Sequence, residues 1–114
     1  MKLDEFTLHC AARGLPKPER EFKFHRDRKW RFDYAFPTLM IAVEQEGIVY
    51  PKKGQGGHLL GRHVSVKGFK ADIEKYLYAF ADGWTVLRAL PSDISSGRAA
   101  DALEQRLKFS ERCR

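Results

Sequence analysis

The chain has 114 residues, 43% of them hydrophobic and 12% aromatic, which suits one folded core and is too short for two. No apolar run approaches the roughly 20 residues that cross a bilayer, and the opening MKLDEFTLHC lacks the apolar stretch of a secretory leader. A formal charge of +6 fits a polyanionic partner, nucleic acid ahead of membrane, and equally a basic surface that binds nothing.

Two cysteines, Cys10 and Cys113, lie near opposite ends and form no CxxC or Cys/His cluster. That spacing excludes a disulfide framework and a structural zinc site, and it fits a reduced, cytoplasmic setting. One domain over residues 1–114 is expected, with no internal repeat, low-complexity segment or linker.

Residues 4–13, DEFTLHCAAR, predict a short helix capped by Asp4 and stopped by Gly14, with Phe6 and Cys10 at helical spacing. Pro16 and Pro18 then keep the chain extended. Glu21 to His25 alternates apolar with polar and reads as a strand, followed by a polar turn at Arg26–Arg28. From Trp30 to Phe36 the alternation returns, with Asp33 expected on the face opposite Phe32 and Tyr34. After Pro37, the continuous apolar run Leu39–Val43 reads as a central strand covered on both faces. These three strands predict a meander whose basic tip, Arg26, Arg28, Lys29 and Arg31, either contacts phosphates or is simply solvated.

The third strand ends in Glu44-Gln45-Glu46-Gly47. Side chains alternate along a strand, so Glu44 and Glu46 point the same way, and a short connection at Pro37 brings Glu44 beside Asp33. Clustered carboxylates repel unless a cation lies between them, and hard oxygen donors suit Mg²⁺. The plainer reading is a set of solvated acids at strand ends.

Residues 51–68, PKKGQGGHLLGRHVSVKG, are rich in glycine and basic residues and read as a long mobile loop. The glycines fit neither GxGxxG nor GxxxxGK[ST], so Lys52, Lys53, Arg62, His63 and Lys67 are better suited to a phosphate backbone than to a nucleotide. Phe69 to Ala81 predicts an amphipathic helix that buries Phe69, Ile73, Tyr76, Leu77 and Phe80, leaving Asp72 and Lys75 on its edge as a surface pair. Gly83 ends that helix, and Trp84–Leu90 is a fourth strand. The strand–helix–strand order is a crossover, so this strand is expected to run parallel to one of the meander. Ser95-Ser96-Gly97 opens a last helix with Ala99, Leu103 and Leu107 inward.

An Asp on the second strand (RFDYAFP), an ExE closing the third (AVEQEG), a Gly-rich insertion ending GRH, a DxEK helix and the GWTVLRAL strand together resemble the PD-(D/E)XK nuclease superfamily, in particular its small very-short-patch-repair-like endonucleases. The resemblance covers nearly the whole chain. It implies an α/β, restriction-endonuclease-like mixed sheet in the order helix, three-strand meander, helix, strand, helix. It also implies a bacterial or phage enzyme of DNA repair or recombination, hydrolysing phosphodiester bonds in branched, nicked or mismatched DNA.

Carried over by residue, Asp33 and Glu44 would hold Mg²⁺, with Mn²⁺ able to substitute, and the Gln45 carbonyl would add a third oxygen. Glu46 stands where such enzymes usually have lysine. Either Glu46 itself or Lys75 on the following helix would orient or deprotonate the attacking water. Glu5 resembles an extra carboxylate found on the first helix of some members. The zinc ligands of the repair endonucleases have no counterpart. His63 would contact a phosphate or have no role, ahead of serving as an acid or base. A homodimer is compatible with cutting two strands. The alternatives are a nuclease-fold nucleic-acid-binding module that no longer cleaves, and a structural subunit of a larger assembly.

Overall fold

The computed structural model describes residues 4–47 and 66–112. The expectations placed on Lys52, Lys53, Arg62, His63 and Cys113 lie outside the described residues. The elements are α1 (Glu5–Ala12), β1 (Glu19–Lys23), β2 (Arg31–Phe36), β3 (Ile41–Gln45), α2 (Val66–Ala81), β4 (Thr85–Ala89), α3 (Pro91–Ser95) and α4 (Arg98–Arg112), with a 3₁₀ turn at Pro37–Leu39. The strands form one sheet in the order β1-β2-β3-β4. β1 to β3 are the antiparallel meander, and β4 adds parallel to β3, as the crossover requires.

α1 begins where Asp4 accepts hydrogen bonds from the Thr7 main chain at 3.1 Å and the Thr7 hydroxyl at 2.8 Å. Gly14, with φ +68°, lets the chain leave the helix in the left-handed region. The inner face of α1 sets Phe6 against Tyr34, ring centroids 4.6 Å apart, and buries Cys10 completely. Burial pushes the Cys10 thiol up to about 11.

Several boundaries differ from the sequence reading, each for a local reason. β1 starts two residues early, at Glu19, and ends at Lys23, before His25, whose Nδ1 accepts from the main-chain N–H groups of Asp27 and Arg28, both at 3.1 Å, and closes the turn. β3 begins at Ile41 and not at Leu39. Pro37 has no N–H to give a ladder, so it opens a 3₁₀ turn that Met40 closes at φ +55°.

The alternation expected along β2 also slips. Tyr34 and Phe36 join the core against α1, α3 and α4, whereas Phe32 joins Ala35, Ala42, Ala79 and Trp84 in a second core beneath α2. The break falls at Asp33, facing Glu21 of β1, which sits in the left-handed region at φ +50°.

α2 starts at Val66, so Lys67 belongs to this helix and not to the preceding loop. Its orientation overturns the expected one. Phe69, Ile73, Leu77 and Phe80 are exposed, while Asp72 and Ala79 are buried and Lys75 and Tyr76 half-buried against the sheet. Lys75 and Tyr76 find partners on the sheet, and those contacts go with the face that packs. Asp72 and Lys75 are therefore inward groups and not an edge pair in solvent.

After β4, Pro91 opens the short α3, which the sequence reading missed, and Asp93 Oδ2 accepts the Leu90 N–H at 3.0 Å. Gly97, at φ +88°, separates α3 from α4. α4 buries Ala99, Ala100 and Leu103 and half-buries Leu107, as its spacing predicts. Among the described residues, no helix is long and apolar enough to cross a membrane.

Candidate active site

The register of β2 and β3, with Tyr34 opposite Val43, puts Asp33 opposite Glu44. The two are bound reciprocally across the strands. The Asp33 N–H donates to Glu44 Oε2 at 2.9 Å, and Asp33 Oδ2 accepts the Gln45 N–H at 2.7 Å. Such charge-assisted bonds to main-chain donors fix both carboxylates on a rigid sheet.

Glu44 is 5% exposed and cannot stay ionised there without help. α2 supplies it. The Lys75 ammonium donates to Glu44 Oε1, and at 2.8 Å to the Arg31 carbonyl on β2. Burial raises the pKa of Glu44 above the ordinary value, and the Lys75 ammonium and Asp33 N–H oppose that rise without cancelling it.

Beyond the end of β3, the Glu46 N–H bonds to the Ala89 carbonyl at 2.7 Å. Its carboxylate accepts from the Tyr76 hydroxyl at 3.1 Å and from Arg88 Nε on β4 at 2.9 Å. Tyr76 also lies 3.4 Å from Glu44 Oε1, so one phenol links the two glutamates. Burial, then the charges of Glu44 and Glu46, hold that phenol protonated well beyond its ordinary range.

Asp33, Glu44, Gln45, Glu46, Asp72, Lys75 and Tyr76 thus line one open cleft of about 230 Å³. The expected acids come together, and Lys75 with them. The repulsion expected among the acids is relieved by the chain's own cations, Lys75 at Glu44 and Arg88 at Glu46. Glu5 lies elsewhere, in a hollow with Tyr34, Gln45 and Ser92.

Of the basic residues expected to meet a phosphate backbone, Arg28, Lys29 and Arg31 are exposed on the β1–β2 hairpin and Lys67 on the first turn of α2. Arg28 is engaged within the fold, 3.2 Å from Glu74 and 4.1 Å above the Trp30 ring.

Asp72, Tyr76 and Arg88 are cleft residues that sequence reasoning did not assign to the site. The signal for Tyr76 was present: positions 72, 75, 76 and 79 have the three-and-four spacing of one helix face. A larger apolar stripe on the same helix obscured it. Arg88 faces the site because β4 pairs with β3 in a register that sets Glu44 beside it.

Among the described residues, no three His, Cys, Asp or Glu side chains are arranged to hold a metal ion. Two carboxylates and a main-chain oxygen are a different kind of donor set. Mg²⁺ keeps most of its waters and is commonly held by one or two carboxylates together with a substrate phosphate, so Asp33 and Glu44 fit it in number and hardness. No family model, curated protein or solved structure matches this chain.

Proposed function

We propose that the chain is a metal-dependent DNA endonuclease of the PD-(D/E)XK type that hydrolyses phosphodiester bonds, with branched, nicked or mismatched DNA as its substrate class. One observation carries the reading: a lysine from α2 reaches the cross-strand pair of Asp33 and Glu44, so two acids and an ammonium meet in an open cleft on a basic chain. The mixed sheet, antiparallel except for its last strand, is the scaffold this reading expects.

Asp33 and Glu44 would hold Mg²⁺, with the Gln45 carbonyl as a third oxygen. When bound, the ion supplies positive charge to a phosphate oxygen and lowers the pKa of a coordinated water. The chain's own groups do the rest. Lys75 takes the position left open by Glu46: its ammonium is anchored on the Arg31 carbonyl and Glu44, where it can hold a water or stabilise charge growing on the phosphate. Glu46, held by Arg88 and Tyr76, is committed to the fold and positions the phenol beside Glu44. The exposed hairpin residues Arg26, Lys29 and Arg31 and Lys67 of α2 supply phosphate contacts.

The test is cleavage of labelled linear, nicked, mismatched and four-way-junction DNAs in Mg²⁺, Mn²⁺ or EDTA. Asp33→Asn is the control, because it preserves size and the fold. Metal-dependent cutting that Asp33→Asn and Glu44→Gln abolish is the expected result. Cutting that survives Glu44→Gln overturns the site. Salt-sensitive binding without cutting assigns the chain to the second reading, a nucleic-acid-binding module; the pairing of Lys75 with Glu44 and of Arg88 with Glu46 favours it, since each glutamate already has a cation from the chain itself.

A further inference from the structure

Helix α2 carries a second surface. Val66, Phe69, Ile73, Leu77 and Phe80 are 72%, 54%, 45%, 65% and 81% exposed. At 3.6 residues per turn these positions fall within an arc of about 80°, roughly a third of a turn from the arc that faces the sheet. The stripe runs most of the length of the helix, and it is larger than the scattered apolar residues normal on a surface.

Its spacing is symmetric. The steps from Val66 to Phe69, Ile73, Leu77 and Phe80 are three, four, four and three residues, the same read from either end. An antiparallel copy of this helix centred on Ile73 would set Val66 against Phe80, Phe69 against Leu77, and Ile73 against itself. That self-complementarity is what a twofold interface requires, since each residue must meet its symmetry mate's partner.

The area also suffices. With two aromatic side chains of about 150–250 Å² each, three smaller aliphatic ones and these exposures, the stripe offers on the order of 500 Å² per copy. The pair would bury about 1,000 Å², the size at which specific interfaces begin.

We infer that a second copy of this chain docks antiparallel on α2, with the twofold axis at Ile73. The inference does not depend on the nuclease reading. Lys75 and Tyr76 lie on the other arc of the same helix, so the assembly joins two clefts through one pair of helices. A homodimer built this way presents two sites related by a twofold axis.

Sedimentation of the full chain at roughly 1 to 100 μM, the weak end of the range that specific interfaces span, is expected to show a dimer. Ile73→Arg, which sets like charges face to face on the axis, is expected to give a folded monomer, checked by circular dichroism; Leu8→Arg, on the exposed face of α1, is expected to stay dimeric. In a Cys113→Ser background, Ile73→Cys is expected to form an intermolecular disulfide on oxidation. Phe80→Cys is not, because its copies would stand about 20 Å apart along the axis.

A wild-type monomer throughout that range overturns the inference, as does a dimer that survives Ile73→Arg. Equal cross-linking at positions 73 and 80 overturns the antiparallel arrangement. A monomer whose stripe instead drives binding to phosphatidylcholine vesicles overturns the second copy as the occupant.

Discussion

Glu44 and Lys75 form a pair in which each charge has the other as its nearest partner. Their side chains are 7% and 12% exposed, so removing one leaves the other with little water to turn to. Lys75→Met is expected to cost about 3 kcal/mol near pH 8. That loss should shrink with acidification. Glu44 already holds its proton above the ordinary 4.5, and losing the ammonium raises the value further. A carboxyl whose folded pKa is raised adds stability below its unfolded pKa and loses it as pH rises through the folded one. Urea unfolding at about pH 8 and pH 5 checks this; equal losses at both would mean that Lys75 acts by packing alone.

The strands and helices hold together through a few backbone choices. Gly97 stands between α3 and α4 at φ +88°, and an added Cβ would meet Arg13 Nη2 at 2.8 Å and His9 Nδ1 at 2.9 Å. Those side chains are tied down, Arg13 to Asp101 at 2.7 Å and His9 to the Ser95 carbonyl at 2.9 Å. Gly97→Ala is therefore expected to lose about 1–3 kcal/mol in thermal unfolding. Glu21 is the opposite case, a side chain bearing the cost of φ +50°. Glu21→Gly is expected to gain about 0.5–1 kcal/mol, measured by urea unfolding. A loss would show that the Glu21 side chain contributes more than its backbone strain costs.

At this level the sequence was informative where one driving force dominated. α1 and α4 follow their apolar spacing and caps, and the meander with a parallel fourth strand follows from alternation and the crossover. Asp33 and Glu44 met because register is a local consequence of the short connection between their strands. α2 was misread because two faces of one helix compete: the apolar stripe is the stronger pattern, yet Lys75 and Tyr76 have partners on the sheet and Asp72 is buried beside them. Periodicity finds a face but does not say which face packs. The left-handed Glu21 and Met40 left no signal, since neither is a residue type that seeks that region.

For the whole molecule, the charge of +6 matters through where it lies. Arg26, Lys29 and Arg31 project from one hairpin, while Lys75 and Arg88 are consumed at the cleft by Glu44 and Glu46. If the hairpin grips a phosphate backbone, affinity for DNA should fall with salt at a log–log slope near −0.9 per contact, and the double change Arg26→Ala with Lys29→Ala should flatten it by about 2. Titrations of a fluorescent duplex at several salt concentrations measure both slopes; an unchanged slope would place the grip elsewhere.

The buried thiol of Cys10 makes the first helix a clock. At 0% exposure and with a pKa near 11, Cys10 presents almost no thiolate to an alkylating reagent while α1 stays seated. In a Cys113→Ser chain, the rate of its modification therefore counts openings of that helix. A rate insensitive to low urea would mean that α1 lifts by itself as a separate unit. A rate that follows the unfolding free energy would mean that helix and sheet part only together.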